Sequence, residues 1–446
     1  MSVCSKRMAL VIALMALVSQ PGRGMAADPA GSLPCQWSRQ AGPLSLPDVV
    51  DRALCNNPQT REAWANARFQ AGEVGVAESA FLPSANFSLS SSRNSASNDN
   101  YSQTTAALSL SYLLYDFGGR AAALENARQI LAASNATRDA TLQSVFLAAV
   151  QAYYQWFAAQ AQVAAAGENE TASRESLKAA ITRYQVGAAT PADRLQAQTA
   201  VSQATLARIR AEGDARNARG GLANTLGLPA DSDLAVAPPS ALLPDDVFTA
   251  NVAELIASAR RRRPDLLAGE AQVAAAKAGI DSARASGMPS ISLSASGSDT
   301  RNSLTDPVRN NAIGLTLSIP VFTGFATTYR IRAAEELLEI KKAQRDRIAL
   351  QVSLDVWRAY HNLLTENQAV RAAMDLLASA GESEQVAKGR YRAGVGGIID
   401  LLNAQSALAL ARQQQIQELY NWRLARVTLA QAMGQLDFAA LDAASK

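Results

Sequence analysis

Side chains able to do chemistry are few and scattered in this chain. His361 is the sole histidine, so an imidazole-based metal site or an imidazole-activated nucleophile has almost no material. Glu335 and Glu336 are adjacent carboxylates, but they fall in a charged helical face, where solvation is their expected role. No phosphate-cradling glycine loop or dinucleotide fingerprint occurs. Neither an enzyme nor a cofactor is expected. What recurs instead is a constellation. Arg183-Tyr184-Gln185-Val186-Gly187 followed by Asp193 reappears as Arg390-Tyr391-Arg392-Ala393-Gly394 followed by Asp400, about 207 residues on. A glycine among small residues in so alanine-rich a region reads as a tight turn joining two helices.

The elements that must hold these two turns also come in duplicate. Asn57-Pro58 corresponds to Arg263-Pro264, Leu82-Pro83-Ser84 to Met288-Pro289-Ser290, Tyr115 to Gly119 to the run Pro320 to Gly324, and Leu226-Gly227 to Met433-Gly434. An offset kept near 206 residues throughout is an internal repeat. Ala85, Phe87 and Leu89 alternate with Asn86, Ser88 and Ser90. Leu108, Leu110 and Tyr112 alternate with Ser109 and Ser111. The second copy repeats the pattern with Ile291, Leu293 and Ala295, then Ile313, Leu315, Leu317 and Ile319, against serine, glycine and threonine. Period two with one apolar and one small polar face predicts strands, either ordinary half-buried hairpins or, as two serine-faced hairpins in an exported chain favour, the wall of a membrane barrel. At about ten residues each they are long enough to cross a bilayer when tilted. Four strands cannot close a barrel, and an open edge in lipid leaves backbone groups unpaired, so if these strands enter a membrane the chain must oligomerise: eight strands in a dimer or twelve in a trimer.

The expected order is a signal peptide over 1–27, then a first repeat over 28–227 with strands about 84–94 and 103–115 and a long helical hairpin over 119–227. A proline-rich linker over 228–247 leads to a second repeat over 248–436, with strands about 290–300 and 311–321 and a hairpin over 324–434, and a tail over 437–446 closes the chain. Prolines are absent from Ser84 to Thr190 and from Val321 onward. Roughly 70 residues of helix measure about 100 Å. Leu142, Phe146, Ala149, Tyr153, Trp156 and Val163, and likewise Ile348, Val352, Val356, Ala359 and Leu363, step at coiled-coil spacing. Helices of that length must stand as a bundle or tube.

Lys6 and Arg7 ahead of the apolar run Met8 to Val18, with small residues at Gly24 to Ala27, make the signal peptide. Its removal would leave 39 basic residues against 39 acidic ones. That balance argues against nucleic-acid binding, and the run Arg260 to Arg263 reads as a solvated helix end. Export would leave Cys35 and Cys55 as an even pair, either free or joined as a disulfide stapling the N-terminal strap to the first helix.

Taken together, the duplicated helix starts, the Pro-Ser entries to the strands, Phe117-Gly118-Gly119 and Phe322-Thr323-Gly324 after them, and the two turn motifs resemble the outer membrane factor family typified by TolC. The resemblance covers about Leu46 to Leu436. It implies a homotrimer whose chains give four strands each to a twelve-stranded β-barrel in outer membrane lipid, continued by an α-helical coiled-coil tunnel through the periplasm of a Gram-negative cell. It also implies partners: a periplasmic adaptor protein at the helical tips and an inner-membrane ABC or proton-driven pump behind it. By the same resemblance Asp400 matches an acidic ring at the periplasmic aperture, Tyr391 a latch tyrosine and Asp193 the aspartate of the first tip. The latch arginine position is Gly396, and that of a second ring aspartate is Asn403. Asp193 and Asp400 can equally serve as caps of the returning helices. Arg183, Tyr184, Gly187, Arg390, Tyr391 and Gly394 would form the docking tips. The cysteine-bearing opening looks like the type I secretion branch, including the cyclolysin-type toxin exporters. Small-molecule efflux ducts share the main motifs, and a non-conducting coiled-coil envelope scaffold is the alternative from another class.

Overall fold

The structure, a computed structural model, describes residues 42–95, 100–239 and 251–436. The signal peptide, Cys35, part of the linker and the tail lie outside the described residues.

The first repeat comprises α1 (Leu46–Asn56), α2 (Pro58–Ser79), β1 (Ser84–Ser95), β2 (Asn100–Tyr115), α3 (Gly119–Gln185) and α4 (Pro191–Thr225). The second comprises α5 (Val252–Arg262), α6 (Pro264–Ala285), β3 (Ser290–Asn302), β4 (Val308–Ser318), α7 (Ala326–Arg392) and α8 (Ile398–Ala432). Ser45 starts α1 in a reciprocal cap: its backbone N–H donates to Asp48 Oδ2 at 2.9 Å, and the Asp48 N–H returns to Ser45 Oγ. α1 and α2 are divided at Pro58, and α5 and α6 at Pro264, because proline lacks an amide hydrogen and opens a helix more readily than it continues one. Asn57 completes the first division by accepting the Gln59 N–H at 2.8 Å.

α3 and α7 each contain 67 residues, about 100 Å of helix. α4 and α8 contain 35 each and so cover only the far half of their partners. The remaining length is covered from the sheet side by the shorter helices: α2 lies on α3, and α6 packs against both α3 and α7. One apolar core gathers Val49, Val50, Val145, Val150, Tyr153 and Leu222 between α1, α3 and α4. A second gathers Val352, Val356, Leu363, Trp422 and Leu429 between α7 and α8. The coiled-coil residues Phe146, Ala149, Tyr153, Trp156, Val352, Val356, Ala359 and Leu363 are buried in these two cores, which accounts for them as packing. Gly227 and Gly434 hold equivalent places after α4 and α8, with φ 69° and 68°. A Cβ on Gly227 would lie 2.6 Å from the Asn56 carbonyl oxygen, and one on Gly434 3.2 Å from that of Arg262. The two halves thus repeat even in which backbones touch.

Two expectations are corrected. The repeat register aligned Phe117 with Phe322, but left-handed backbone occurs at Phe117 and Gly118 before α3 and at Gly324 and Phe325 before α7. Handedness of the turn into the helix, rather than the aromatic side chain, sets the equivalence. Arg263 is no solvated helix end: it is 8% exposed, forks onto Asp265 at 2.6 and 3.0 Å and reaches Asp355 on α7 at 3.2 Å. Its planar fork braces the α5–α6 corner against α7.

The four strands form one antiparallel sheet in the order β1-β2-β3-β4. Its register pairs Phe87 with Leu108, Leu110 with Ala295, Tyr112 with Leu293, Leu293 with Leu315 and Ile291 with Leu317. Across the other face Asn86 meets Ser109, Ser109 meets Ser296, and Ser294 meets Gly314. The apolar residues named from the sequence share one face wherever they lie in strands; Ile319 falls outside, because β4 spans Val308–Ser318 rather than the expected 311–321. That face is bare in the single chain, with Leu89 67%, Ile313 78% and Leu315 67% exposed.

Candidate functional site

The helical end of the molecule is closed by two turns, Val186 to Thr190 and Ala393 to Gly397. Gly187 and Gly394 have φ of 75° and 80°, the left-handed region that favours glycine. They lie where the repeated motif placed them. Around them pack Ala180, Ala197, Tyr391, Ile398 and Leu401.

The two tips hold each other through a contact the sequence did not suggest. Arg183 Nη1 donates to the Tyr391 carbonyl oxygen at 2.9 Å, and its guanidinium lies 4.8 Å from the centre of the Tyr391 ring. Tyr391 is 5% exposed, and its hydroxyl is buried with no hydrogen-bond partner among the described residues. Both residues were assigned to a docking surface, and Tyr391 to the gate as well. Their side chains contact each other within the chain, with Arg183 still half-buried: the guanidinium satisfies a carbonyl at the end of α7 and stacks on an aromatic face in the same movement. A Cβ at Gly396, the latch-arginine position, would lie 3.0 Å from Arg390 Cβ and 3.3 Å from the Tyr391 nitrogen. Arg183 thus brings a guanidinium from the first tip to this turn, beside Arg390 and Arg392 of its own helix end. The exposed docking candidates are Arg390 and Tyr184, whose ring is approached by Arg194 at 5.6 Å, together with Val186 and Val395.

The two aspartates differ. Asp193 Oδ2 accepts from the Thr190 N–H at 2.8 Å and from its hydroxyl at 3.0 Å, and Thr190 caps in return; this is a complete capping box on α4. Asp400 holds the same position on α8, but the residue at its cap is Gly397, which has no side chain to reciprocate. Asp400 is exposed, and none of the described hydrogen bonds or ion pairs engages its carboxylate. Asn403, one turn further on, lines an open groove of about 640 Å³ between α4 and α8, with Asn169 and Ser173 of α3 as its floor.

Above the tips the hairpins are tied by buried polar groups. Gln405 Nε2 donates to Ser176 Oγ at 3.0 Å between α8 and α3. Glu170 on α3 accepts from the Thr205 hydroxyl at 2.5 Å, from Arg208 Nε at 2.7 Å and from Arg174 Nη2 at 2.8 Å. The Thr205 hydroxyl, followed by the Arg208 guanidinium, holds its carboxyl below the usual glutamate range. Arg208 also pairs with Glu212. This brace was discoverable: reflecting the chain about Gly187 puts Glu170 opposite Thr205 and Arg208.

Cys55 is disulfide-bonded; the expected partner, Cys35, lies outside the described residues. No group of three or more histidine, cysteine, aspartate or glutamate side chains among the described residues is arranged to hold a metal.

This combination, long paired helices ending in closed tips and a sheet with one lipid-ready face, defines an outer membrane channel. The family model described as outer membrane efflux protein matches residues 49–228 and 255–435, one match per repeat, and the chain belongs to that family. It is 32% identical over 435 residues to Protein CyaE of Bordetella pertussis, covering 96% of this chain and 92% of that one. It is 28% identical to the pyoverdine export outer membrane protein OpmQ of Pseudomonas aeruginosa, covering 90% and 87%. Among solved structures it superposes on the Campylobacter jejuni CmeC outer membrane channel with a TM-score of 0.80 at 19% identity, covering 94% of both chains. The protein is located in the outer membrane, and its family and fold are those of channels rather than enzymes.

Proposed function

We propose that three copies of this chain close a twelve-stranded barrel in the outer membrane and extend it as a helical duct through the periplasm. The duct takes cargo from an adaptor protein and an inner-membrane ABC or proton-driven pump. The observation that carries this reading is the sheet register. It gathers apolar side chains on one face and serine, asparagine and glycine on the other, while β1 and β4 keep unpaired outer edges that only further strands can satisfy in lipid. Tyr115, Phe117, Phe322 and Phe325 are exposed where the sheet meets the helices, as an aromatic girdle at the membrane boundary requires. Exposed Val186, Leu195, Val395 and Ile399 at the tips supply apolar surface for an adaptor. Asp400, unbonded at the start of α8, supplies the charge of the aperture.

The cargo we favour is protein released by type I secretion, following the branch that the cysteine-bearing opening resembles. The relative described as a pyoverdine export protein favours a second reading, efflux of small molecules. Comparing proteins in the culture medium of cells with and without the gene, with its neighbours expressed, separates the two. Type I secretion predicts the loss of one or a few large proteins from the medium. An unchanged medium accompanied by drug or siderophore sensitivity would leave the efflux duct in its place.

A further inference from the structure

The four strands contain only four charged residues: Arg93, Asp299, Arg301 and Arg309. Alternation puts all four on the apolar face. Arg93 shares its face with Phe87 and Leu89, Asp299 and Arg301 share theirs with Leu293 and Ala295, and Arg309 shares its face with Ile313 and Leu315. The register also brings them to one end. Asp299 sits opposite Arg309, Arg301 opposite Thr104 on β2, and Arg93 opposite Ser102. This is the loop end, away from the helices: Asp299 and Arg309 continue the row of Leu89 and Ala106, while Arg301 lies one same-face row and Arg93 two rows beyond it. The side chains confirm the shared face: Asp299 pairs with Arg309 at 3.1 Å and with Arg301 at 3.4 Å. The two guanidiniums remain 66% and 68% exposed, and no ion pair engages Arg93 among the described residues. Arg93 lies two strands from Arg301, about 10 Å, and one pleat row along, about 7 Å. Arg309 lies three strands and two rows from Arg93, roughly 20 Å, so the arginines form an extended basic patch with Arg301 at its middle, and the lone aspartate leaves it a net positive charge.

A purely apolar band would spend no charge here, and an arginine facing lipid is tolerated only near the interface. The opposite face of the strands, which would meet cargo in the duct, carries none. We propose that this outward basic cluster binds the phosphorylated headgroup of an outer-leaflet lipid lying against the barrel, with Asp299 holding Arg301 and Arg309 apart and aimed along the sheet. Phosphate matches the guanidinium fork in geometry and charge, and acyl chains attached to it would lie along the apolar rows immediately below. This rests on the reading of the sheet as lipid-facing barrel wall.

The test uses the full chain, purified as its assembled form in a neutral detergent. It is titrated with an acylated diphosphoryl disaccharide, with the same glycolipid stripped of its phosphates, and with inorganic phosphate alone. Bound lipid is counted by native mass spectrometry and stability by the thermal midpoint. The diphosphoryl lipid should bind about a hundredfold more tightly than the stripped one, from about 1 kcal/mol per arginine at a lipid surface, and the variant carrying Arg93→Gln, Arg301→Gln and Arg309→Gln should lose that preference. Equal binding of both glycolipids, or a preference that survives in the variant, overturns the site. Stabilisation by inorganic phosphate equal to that by the lipid also overturns it, in favour of a soluble-anion site. Should the triple variant fail to assemble, the wild-type comparison and Arg93→Gln alone decide, since Arg93 lies outside the Asp299 ion pairs. Bilayer conductance of the same preparation keeps the two readings apart: a conducting protein without lipid discrimination sinks only the headgroup site, whereas a non-conducting one sinks the duct.

Discussion

Two residues at the tips show how similar motif positions part ways. Asp193 is consumed by a cap, whereas its counterpart Asp400 faces a glycine at the cap and stays unbonded. Three copies of a free carboxylate around one axis would concentrate cations there. Asp400→Ala should therefore move the reversal potential in a salt gradient across a planar bilayer toward zero, while Asp193→Ala should leave it in place and lower stability by about 1 kcal/mol through the lost cap. An unchanged potential in the first variant would return Asp400 to a structural role. Arg183 makes the complementary case. Replacing it by Gln removes a charged hydrogen bond to the Tyr391 carbonyl and a cation over the Tyr391 ring, together about 2 kcal/mol of attachment between the tips. If that contact holds the aperture closed, single-channel records of Arg183→Gln should show a larger ratio of open to closed time, by about thirtyfold. Records matching the wild type would make the contact packing only.

At the scale of elements, the α3–α4 hairpin carries an acid-sensitive tie. Glu170 is held ionised by Thr205 and Arg208, so its carboxyl ionises more readily in the folded hairpin than in the unfolded chain, where glutamate titrates near about 4.3. The stabilisation is complete above that range and is lost as pH falls through the lower folded value. Thermal midpoints of wild type and Glu170→Gln should thus differ most near neutral pH and converge in acid; a gap that persists in acid would show that the tie is not ionic. The elements themselves were legible because their signals are local. Alternation in Phe87-Ser88-Leu89 or Leu315-Thr316-Leu317 follows from successive side chains pointing to opposite faces of a strand, and Gly187 and Gly394 follow from the backbone their turns demand. Sheet order was not legible: β2 and β3 are neighbours although Leu110 and Ala295 lie 185 positions apart, and nothing local encodes that. The Arg183–Tyr391 contact escaped for the same reason, since it depends on how two helical hairpins are rotated against each other. The mistaken pairing of Phe117 with Phe322 came from matching side chains where backbone handedness was decisive.

For the whole molecule, the decisive fact is that the two free edges of the sheet are unlike. β1 and β4 run antiparallel to each other and carry different side chains, so the edge of one copy can pair only with the other edge of the next. Such a head-to-tail contact either closes into a ring or runs on as a filament. An open filament would leave edges unpaired in lipid, and closure as a ring of three gives the twelve strands proposed above. Cysteines placed in pairs, one scanned along β1 and one along β4 on the serine face, should trap the contact wherever the register brings them opposite. Oxidation should then yield linear dimers and trimers and a closed three-chain species that resists heating in detergent, with nothing larger. A ladder ending at two chains would mean an eight-stranded barrel, and one continuing beyond three would mean an open or larger assembly. Pairs of cysteines both placed on β1 provide the control, since a ring built from unlike edges leaves no two copies of β1 side by side.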